Sequence, residues 1–149
     1  MATAKKRKAR GDKPRWLYRF KNYKRAFRLL SEAIDLFEER ELSSLEQEGV
    51  IQRFEYTWEL GWNLLADLLD ADGITLDTRT PRAAIRAAYK AKIISNGKEW
   101  MNALDARNRM AHTYDESDFA AIVEEIQSTY LGLLDALHRT GLKREAALK

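Results

Sequence analysis

Apolar residues recur every three or four positions along most of this chain. Between about Leu17 and Arg40 the residues Phe20, Tyr23, Phe27, Leu30, Ile34 and Phe37 form one stripe, the spacing of a helix with a single buried face. Ser43 or Ser44 offers the N-cap of a second long helix, with Gln47 three residues after Ser44 as in a capping box. That helix runs to about Ala71 on a stripe of Val50/Ile51, Phe54, Trp58, Gly61/Trp62, Leu65 and Leu68/Leu69, and Asp72-Gly73 closes it as a glycine C-cap. Gly61 costs a helix interior about 1 kcal/mol relative to alanine, so the close approach of a neighbouring helix is expected to offset it.

A third helix is predicted from Thr80 as N-cap and Pro81 at its first position, where the missing N–H is no loss. Its alanines 83, 84, 87, 88 and 91 make a thin surface that should pack tightly or sit at an interface. Asn96-Gly97 is a turn, and a fourth helix starts near Lys98 with Trp100, Leu104 and Ala111 along one side. Asp115-Glu116-Ser117-Asp118 reads as the start of a fifth, which carries Phe119, Ile122, Val123, Ile126, Tyr130, Leu133, Leu134 and Leu137 and should end near Gly141. No stretch alternates with period two for long enough to make a strand. The fold is therefore expected to be all-α, an antiparallel bundle of four or five helices with short connections, preceded by a disordered basic tail (residues 1–15) and followed by a short C-terminal tail (residues 142–149), with the bundle domain at 16–141.

Composition narrows the class. There is no cysteine, which removes disulfides and thiolate chemistry and points to a cytoplasmic protein. No apolar run approaches the roughly 20 residues of a membrane span, and no signal-peptide core follows the basic N-terminus. Residues 1–15 hold seven lysines and arginines against Asp12, a surplus of six; the whole chain is +3, so the rest is net −3. The tail could make a salt-dependent nucleic-acid contact or be a solvated extension with no partner. There is no glycine-rich phosphate loop, and no cofactor or metal is implied.

The chemistry concentrates in Arg107-Asn108-Arg109-Met110-Ala111-His112-Thr113-Tyr114-Asp115, which holds one of only two histidines. Arginine forks onto phosphate, histidine exchanges protons near neutral pH, and tyrosine offers a hydroxyl. On an unbroken helix Arg107 and His112 would point about 140° apart. Either the helix breaks before His112 or two copies of the motif meet across a dimer axis. The plain structural alternative is a histidine capping a helix end and an arginine bridging to an acid.

Arg107, His112 and Tyr114 match an Arg-x4-His-x-Tyr pattern that resembles the signature of HEPN-domain proteins of the HepT kind, also called nucleotidyltransferase substrate-binding proteins. Gln52-Arg53-Phe54-Glu55-Tyr56-Thr57-Trp58-Glu59-Leu60-Gly61-Trp62 looks like that family's second-helix motif, and Thr80-Pro81-Arg82 and Asn96-Gly97 before Trp100 fit it too. The resemblance covers roughly residues 18–140. It implies a metal-independent endoribonuclease acting as the toxin of a toxin–antitoxin pair, with Arg107 and His112 catalytic and a homodimer as the working form. It also implies that Tyr114 receives AMP from a partner, a minimal nucleotidyltransferase antitoxin, which silences the ribonuclease. Asn108 follows the arginine and is assigned a supporting role, orienting His112 from one turn away. The alternative carried by the older family name is a non-catalytic partner subunit of a separately encoded nucleotidyltransferase.

Glu55 and Glu59 lie one turn apart on the second helix and could position Arg107 and His112 or hold a metal, though no histidine pair accompanies them as in a di-metal bundle site; the blander expectation is that one pairs with a bundle arginine while the other is solvated. Trp58, Trp62, Trp100, Phe54 and Phe119 sit at helical spacing and are expected in the core rather than as base-stacking platforms. His138 is expected on the surface near the end of the last helix. The net negative body leaves Arg107, Arg109 and the tail as the evident contacts for RNA.

Overall fold

A computed structural model of the chain describes residues 13–112 and 115–149. Among them there is no strand. The rods are α1 (Arg15–Glu39), α2 (Ser44–Ala71), α3 (Pro81–Lys90), α4 (Gly97–Met110), and a last rod in which α5 (Phe119–Glu125) passes through a π-helical turn (Ile126–Tyr130) into α6 (Leu131–Ala147). A short 3-10 turn, Glu116–Asp118, leads into α5.

Contacts along the rods fix their directions. Arg40 meets Glu46 at one end of the α1–α2 pair and Arg19 meets Asp67 at the other, so these helices run antiparallel. Glu38 accepts from Gln127 while Lys24 pairs with Glu145, so α1 is antiparallel to the last rod as well. α2 lies in the middle and touches every other rod. Its neighbours bury Phe54, Trp58, Leu64, Leu65, Leu68 and Leu69 almost completely. All five aromatics expected in the core are there: Phe54, Trp58, Trp62, Trp100 and Phe119 are buried, with Trp58 and Trp100 in a tilted ring contact at 5.4 Å.

Helix ends follow local chemistry. Ser43, not Ser44, caps α2: its hydroxyl accepts from the Glu46 N–H, and the Glu46 carboxylate accepts from the Ser43 N–H. The register with glutamate wins over the one with Gln47 because Glu46 also takes two hydrogen bonds from Arg40 (2.9 and 2.6 Å), and charge-assisted forks of that kind are the strong ones. Gly73 adopts φ +80° after Asp72, and the Ile74 N–H returns to the Leu69 carbonyl at 2.9 Å, the expected glycine termination of α2. Thr80 caps α3 through the Ala83 N–H, with Pro81 first in the helix.

Two glycines serve packing. A Cβ on Gly61 would stand 3.3 Å from the Tyr23 ring and within 4 Å of Leu134 and Leu137, so the expected close approach is made by two neighbours. Gly141, in contrast, does not end the last helix. A Cβ there would come 2.2 Å from Cε1 of the fully buried Phe20, and the helix continues to Ala147. Sequence reading takes a late glycine for a stop; here it is the notch in which α1 seats a ring. The extra turns are held by Arg144 on Asp72 (2.8 Å) and Lys24 on Glu145 (3.1 Å). His138 consequently sits mid-helix rather than near the end, half-buried against Phe27 and Phe20 at 5.1 and 6.1 Å. That burial pushes its pKa down, opposed by Asp135.

Candidate functional site

α4 carries the motif at its last turn. Its inner face, Trp100, Ala103, Leu104, Ala106 and Met110, is buried, which turns Asn108 and Arg109 outward and leaves Arg107 at the edge. The helix stops at Met110. Ala111 still donates to the Arg107 carbonyl at 3.2 Å, but His112 donates to Arg109 at 3.0 Å, a tightened final turn. Beyond it Asp115 starts the next element, its carboxylate accepting from the Ser117 N–H at 3.1 Å, a bond that holds this carboxyl below its ordinary range. The helix therefore ends before His112, as expected, with Ala111 still in a helical conformation. His112 is exposed in the turn. Tyr114, with Thr113, lies outside the described residues.

Arg107 is held from one side. Its Nη2 is 4.0 Å from Oε1 of Glu59, and about a third of the side chain is exposed. Its Nε is buried and finds no hydrogen-bond acceptor among the described residues. Glu59 is fixed in turn by the Trp62 indole N–H, which donates to Oε2 at 3.0 Å. Of the two glutamates, Glu59 is thus the one facing the arginine. Glu55 is half-buried rather than solvated: with Ile51, Gln52, Met110, Ala111 and Phe119 it lines a cleft of about 400 Å³ between α2, the end of α4 and the start of α5. Asn108 is exposed and makes no hydrogen bond to His112 among the described residues, so the structure does not join these two. Nor do three histidine, aspartate or glutamate side chains converge as a metal-ligand group among the described residues.

Two features escaped the sequence reading. Arg109 reaches across to Glu125 (3.1 Å), and Glu125 also accepts from the Tyr130 hydroxyl at 2.7 Å. Burial first, then the Glu125 hydrogen bond, pushes Tyr130 up to about 12. This clasp ties the motif helix to the last rod at its π-helical turn, a form that often marks functional positions. A period-3.6 reading counts Tyr130 as one more stripe residue and has no means of seeing the extra residue in the turn. The second feature is Asp67, buried in α2 and met by Arg19 at 2.9 Å, Arg79 at 3.0 Å and Arg15 at 4.0 Å. Here a signal existed: a lone acid inside Leu64-Leu65-Ala66-Asp67-Leu68-Leu69 demands cationic partners once buried.

An exposed histidine can take or give a proton, and a guanidinium with about a third of its side chain exposed can receive an anionic oxygen. The described residues thus form an all-α bundle with Arg107 in the last turn of its fourth helix and His112 in the turn that follows. The chain belongs to the family described as "Nucleotidyltransferase substrate binding protein like", whose profile matches residues 18–143. It is also 30% identical over 81 residues to a protein of Haemophilus influenzae named "Probable ribonuclease HepT", covering 52% of this chain and 56% of that protein. The chain thus spans about half the length of the curated relative it matches.

Proposed function

We propose that this protein is a metal-independent endoribonuclease, the toxin of a toxin–antitoxin pair, with Arg107 and His112 as its catalytic groups. The observation that carries the reading is the end of α4: an arginine whose buried Nε has no partner among the described residues, and a histidine exposed in the turn after the helix stops at Met110. The name of the Haemophilus relative supports the same reaction class. In this reaction the ribose 2′-hydroxyl attacks the adjacent phosphorus, its proton goes to a base, and the 5′-oxygen leaves with a proton from an acid, giving a 2′,3′-cyclic phosphate and a 5′-hydroxyl. His112 carries the proton transfers. Arg107 neutralises charge on the phosphoryl oxygens, with Glu59 limiting where the guanidinium can go. Two proton transfers and one motif histidine per chain favour a homodimer whose motifs share one cleft.

Regulation follows through Tyr114. A minimal nucleotidyltransferase partner would transfer AMP from ATP: the tyrosine oxygen attacks the α-phosphorus, pyrophosphate leaves, and the hydroxyl proton is released. The added phosphate would compete with RNA for Arg107. The family description favours a second reading, in which the bundle is a non-catalytic partner subunit that a nucleotidyltransferase binds. One experiment separates them. The protein, alone and co-expressed with the neighbouring nucleotidyltransferase, is weighed intact and assayed on RNA beside His112→Ala. Cleavage by the unmodified wild type alone, with an AMP increment mapping to Tyr114 in the co-expressed form, supports the toxin. A stable complex and no cleavage by the unmodified wild type supports the partner subunit.

A further inference from the structure

The first nineteen described residues, 13–31, contain seven lysines and arginines and no acid, whereas 32–48 contain seven acids and one arginine. α1 therefore carries cations at its N-terminal end and anions at its C-terminal end; its first turn has no acid and its last turn no base. This is the reverse of what the helix dipole favours, so helix stability does not account for it.

Part of the basic end has structural work. Arg19 and Arg15 face Asp67, and Lys24 pairs with Glu145. The remainder is arranged. Tyr18, Lys21, Arg25 and Arg28 recur at spacings of three, four and three, all exposed on one stripe of α1, about 15 Å long at 1.5 Å per residue. Among the described residues, Lys21, Arg25 and Arg28 make no ion pair or side-chain hydrogen bond. At the start of the stripe a groove of about 470 Å³ opens between α1 and the C-terminal end of the chain, lined by Lys13, Tyr18, Lys21 and Lys24 with Leu17 on one wall and by Glu145, Leu148 and Lys149 on the other. Tyr18 is 57% exposed at its edge. A row of unpaired cations leading to an exposed aromatic at a basic groove is what a single-stranded nucleic acid requires: charges that track phosphates and a ring on which a base stacks. An anionic membrane would instead select a broad apolar face beside the cations; here the apolar surface is limited to Leu17 and Leu148 at the groove, and the stripe beyond it through Arg25 and Arg28 is cationic.

We infer that the Tyr18–Lys21–Arg25–Arg28 face of α1 is a single-stranded RNA-binding surface, separate from the Arg107–His112 end of α4, that holds the substrate strand. The choice of RNA rests on the ribonuclease reading; the surface itself does not. It also supplies the contact that a net negative body otherwise lacks.

The test uses the full chain carrying His112→Ala, so that RNA is not consumed, and a short fluorescein-labelled single-stranded RNA followed by anisotropy across a salt series. Lys21→Gln/Arg25→Gln/Arg28→Gln should weaken binding at least tenfold at low salt and reduce the slope of log affinity against log salt by about 2, at about 0.7 per lost phosphate contact. Tyr18→Ala should weaken binding about tenfold with the slope unchanged, because stacking releases no counterions. All four positions are exposed, and an unchanged melting temperature confirms that the fold is kept. Unchanged affinity and slope in the triple variant overturn the proposal. So does loss of binding to phosphatidylserine vesicles with RNA binding intact. If the stripe binds RNA but the protein with His112 restored cuts none, this surface stands and the ribonuclease reading falls. If His112-dependent cleavage is seen while the stripe variants bind as before, the reverse holds.

Discussion

The body formed by α1, α2 and α6 and the corner where α4 meets α5 treat their polar groups in opposite ways. In the body, Asp67 is buried and paired, and the buried Tyr23 hydroxyl donates to the Leu134 carbonyl at 2.6 Å. In the corner, Arg107 keeps a buried Nε without an acceptor among the described residues and His112 stands in solvent. A buried polar group left unpaired costs stability, and such costs gather where a ligand will supply the missing partner. On the proposed reading, stability resides in the body and chemistry in the corner, and substitutions should separate the two.

The largest effect is expected in the corner and should leave the body untouched. His112→Ala removes the proposed proton-transfer group and should lower RNA cleavage by about 10²–10⁴-fold, while an exposed side chain in a turn contributes to stability within about 0.5 kcal/mol. Single-turnover cleavage and thermal unfolding of the same sample check both halves. A melting temperature that falls with activity would mean that His112 also holds the fold together.

Next comes the body's ion cluster. Arg19→Ala/Arg79→Ala strands the Asp67 carboxylate in the core, and removing the partners of a buried charge costs about 3–5 kcal/mol. Adding Asp67→Leu should recover much of that loss, because the stranded charge rather than the missing arginines is the cause. Urea denaturation of the three proteins decides it. A double variant that loses under 1 kcal/mol would mean that Arg15 or water serves Asp67 equally well.

What the sequence makes legible follows the same division. The stripes through Phe20 and Tyr23, and through Phe54 and Trp58, specify five helical rods because burial has one period in a helix. The break after Met110 is readable because Asp115 begins a new cap. Gly141 is misread: a glycine late in a helix suggests termination, and only the Phe20 ring seated against it gives the reason for its identity. Partners remote in sequence, such as Arg79 for Asp67 and Glu125 for Arg109, are set by topology and leave no local trace. The relation between Arg107 and Glu59, 48 residues apart, is of the same kind; the family resemblance names both residues, but spacing alone joins neither to the other.

The two packing glycines sharpen the picture at smaller magnitude. Alanine at either gains about 1 kcal/mol of helix propensity. At Gly141 the new Cβ meets the buried Phe20 ring at 2.2 Å, and overpacking of that kind costs about 1–3 kcal/mol, so Gly141→Ala should be destabilising. At Gly61 the tightest approach is 3.3 Å, to Tyr23, and Gly61→Ala should lie within about 1 kcal/mol of wild type. Equal losses at both sites in thermal unfolding would show that the last rod shifts freely, against a rigid body.

The smallest effect is at the exposed cap that starts α2. The Arg40 hydrogen bond first, and then the Ser43 N–H, hold the Glu46 carboxyl down to about 2 from an ordinary value of 4.5. A carboxyl whose folded pKa is depressed contributes stability that is fully present above its unfolded value and is lost as pH falls through the folded one. The contribution from Glu46 should thus be constant above about pH 5 and decline as pH falls from about 4.5 towards about 2. Glu46→Gln retains the shape of the capping box without the charge. The difference in melting temperature between wild type and Glu46→Gln should therefore be widest near neutral pH and close progressively on acidification. Because the pair is exposed, salt should shrink the gap at pH 7 as well. A gap independent of both pH and salt would assign the cap's effect to hydrogen-bond geometry alone, and would place the Arg40–Glu46 fork among surface contacts that are formed without stabilising the helix they join.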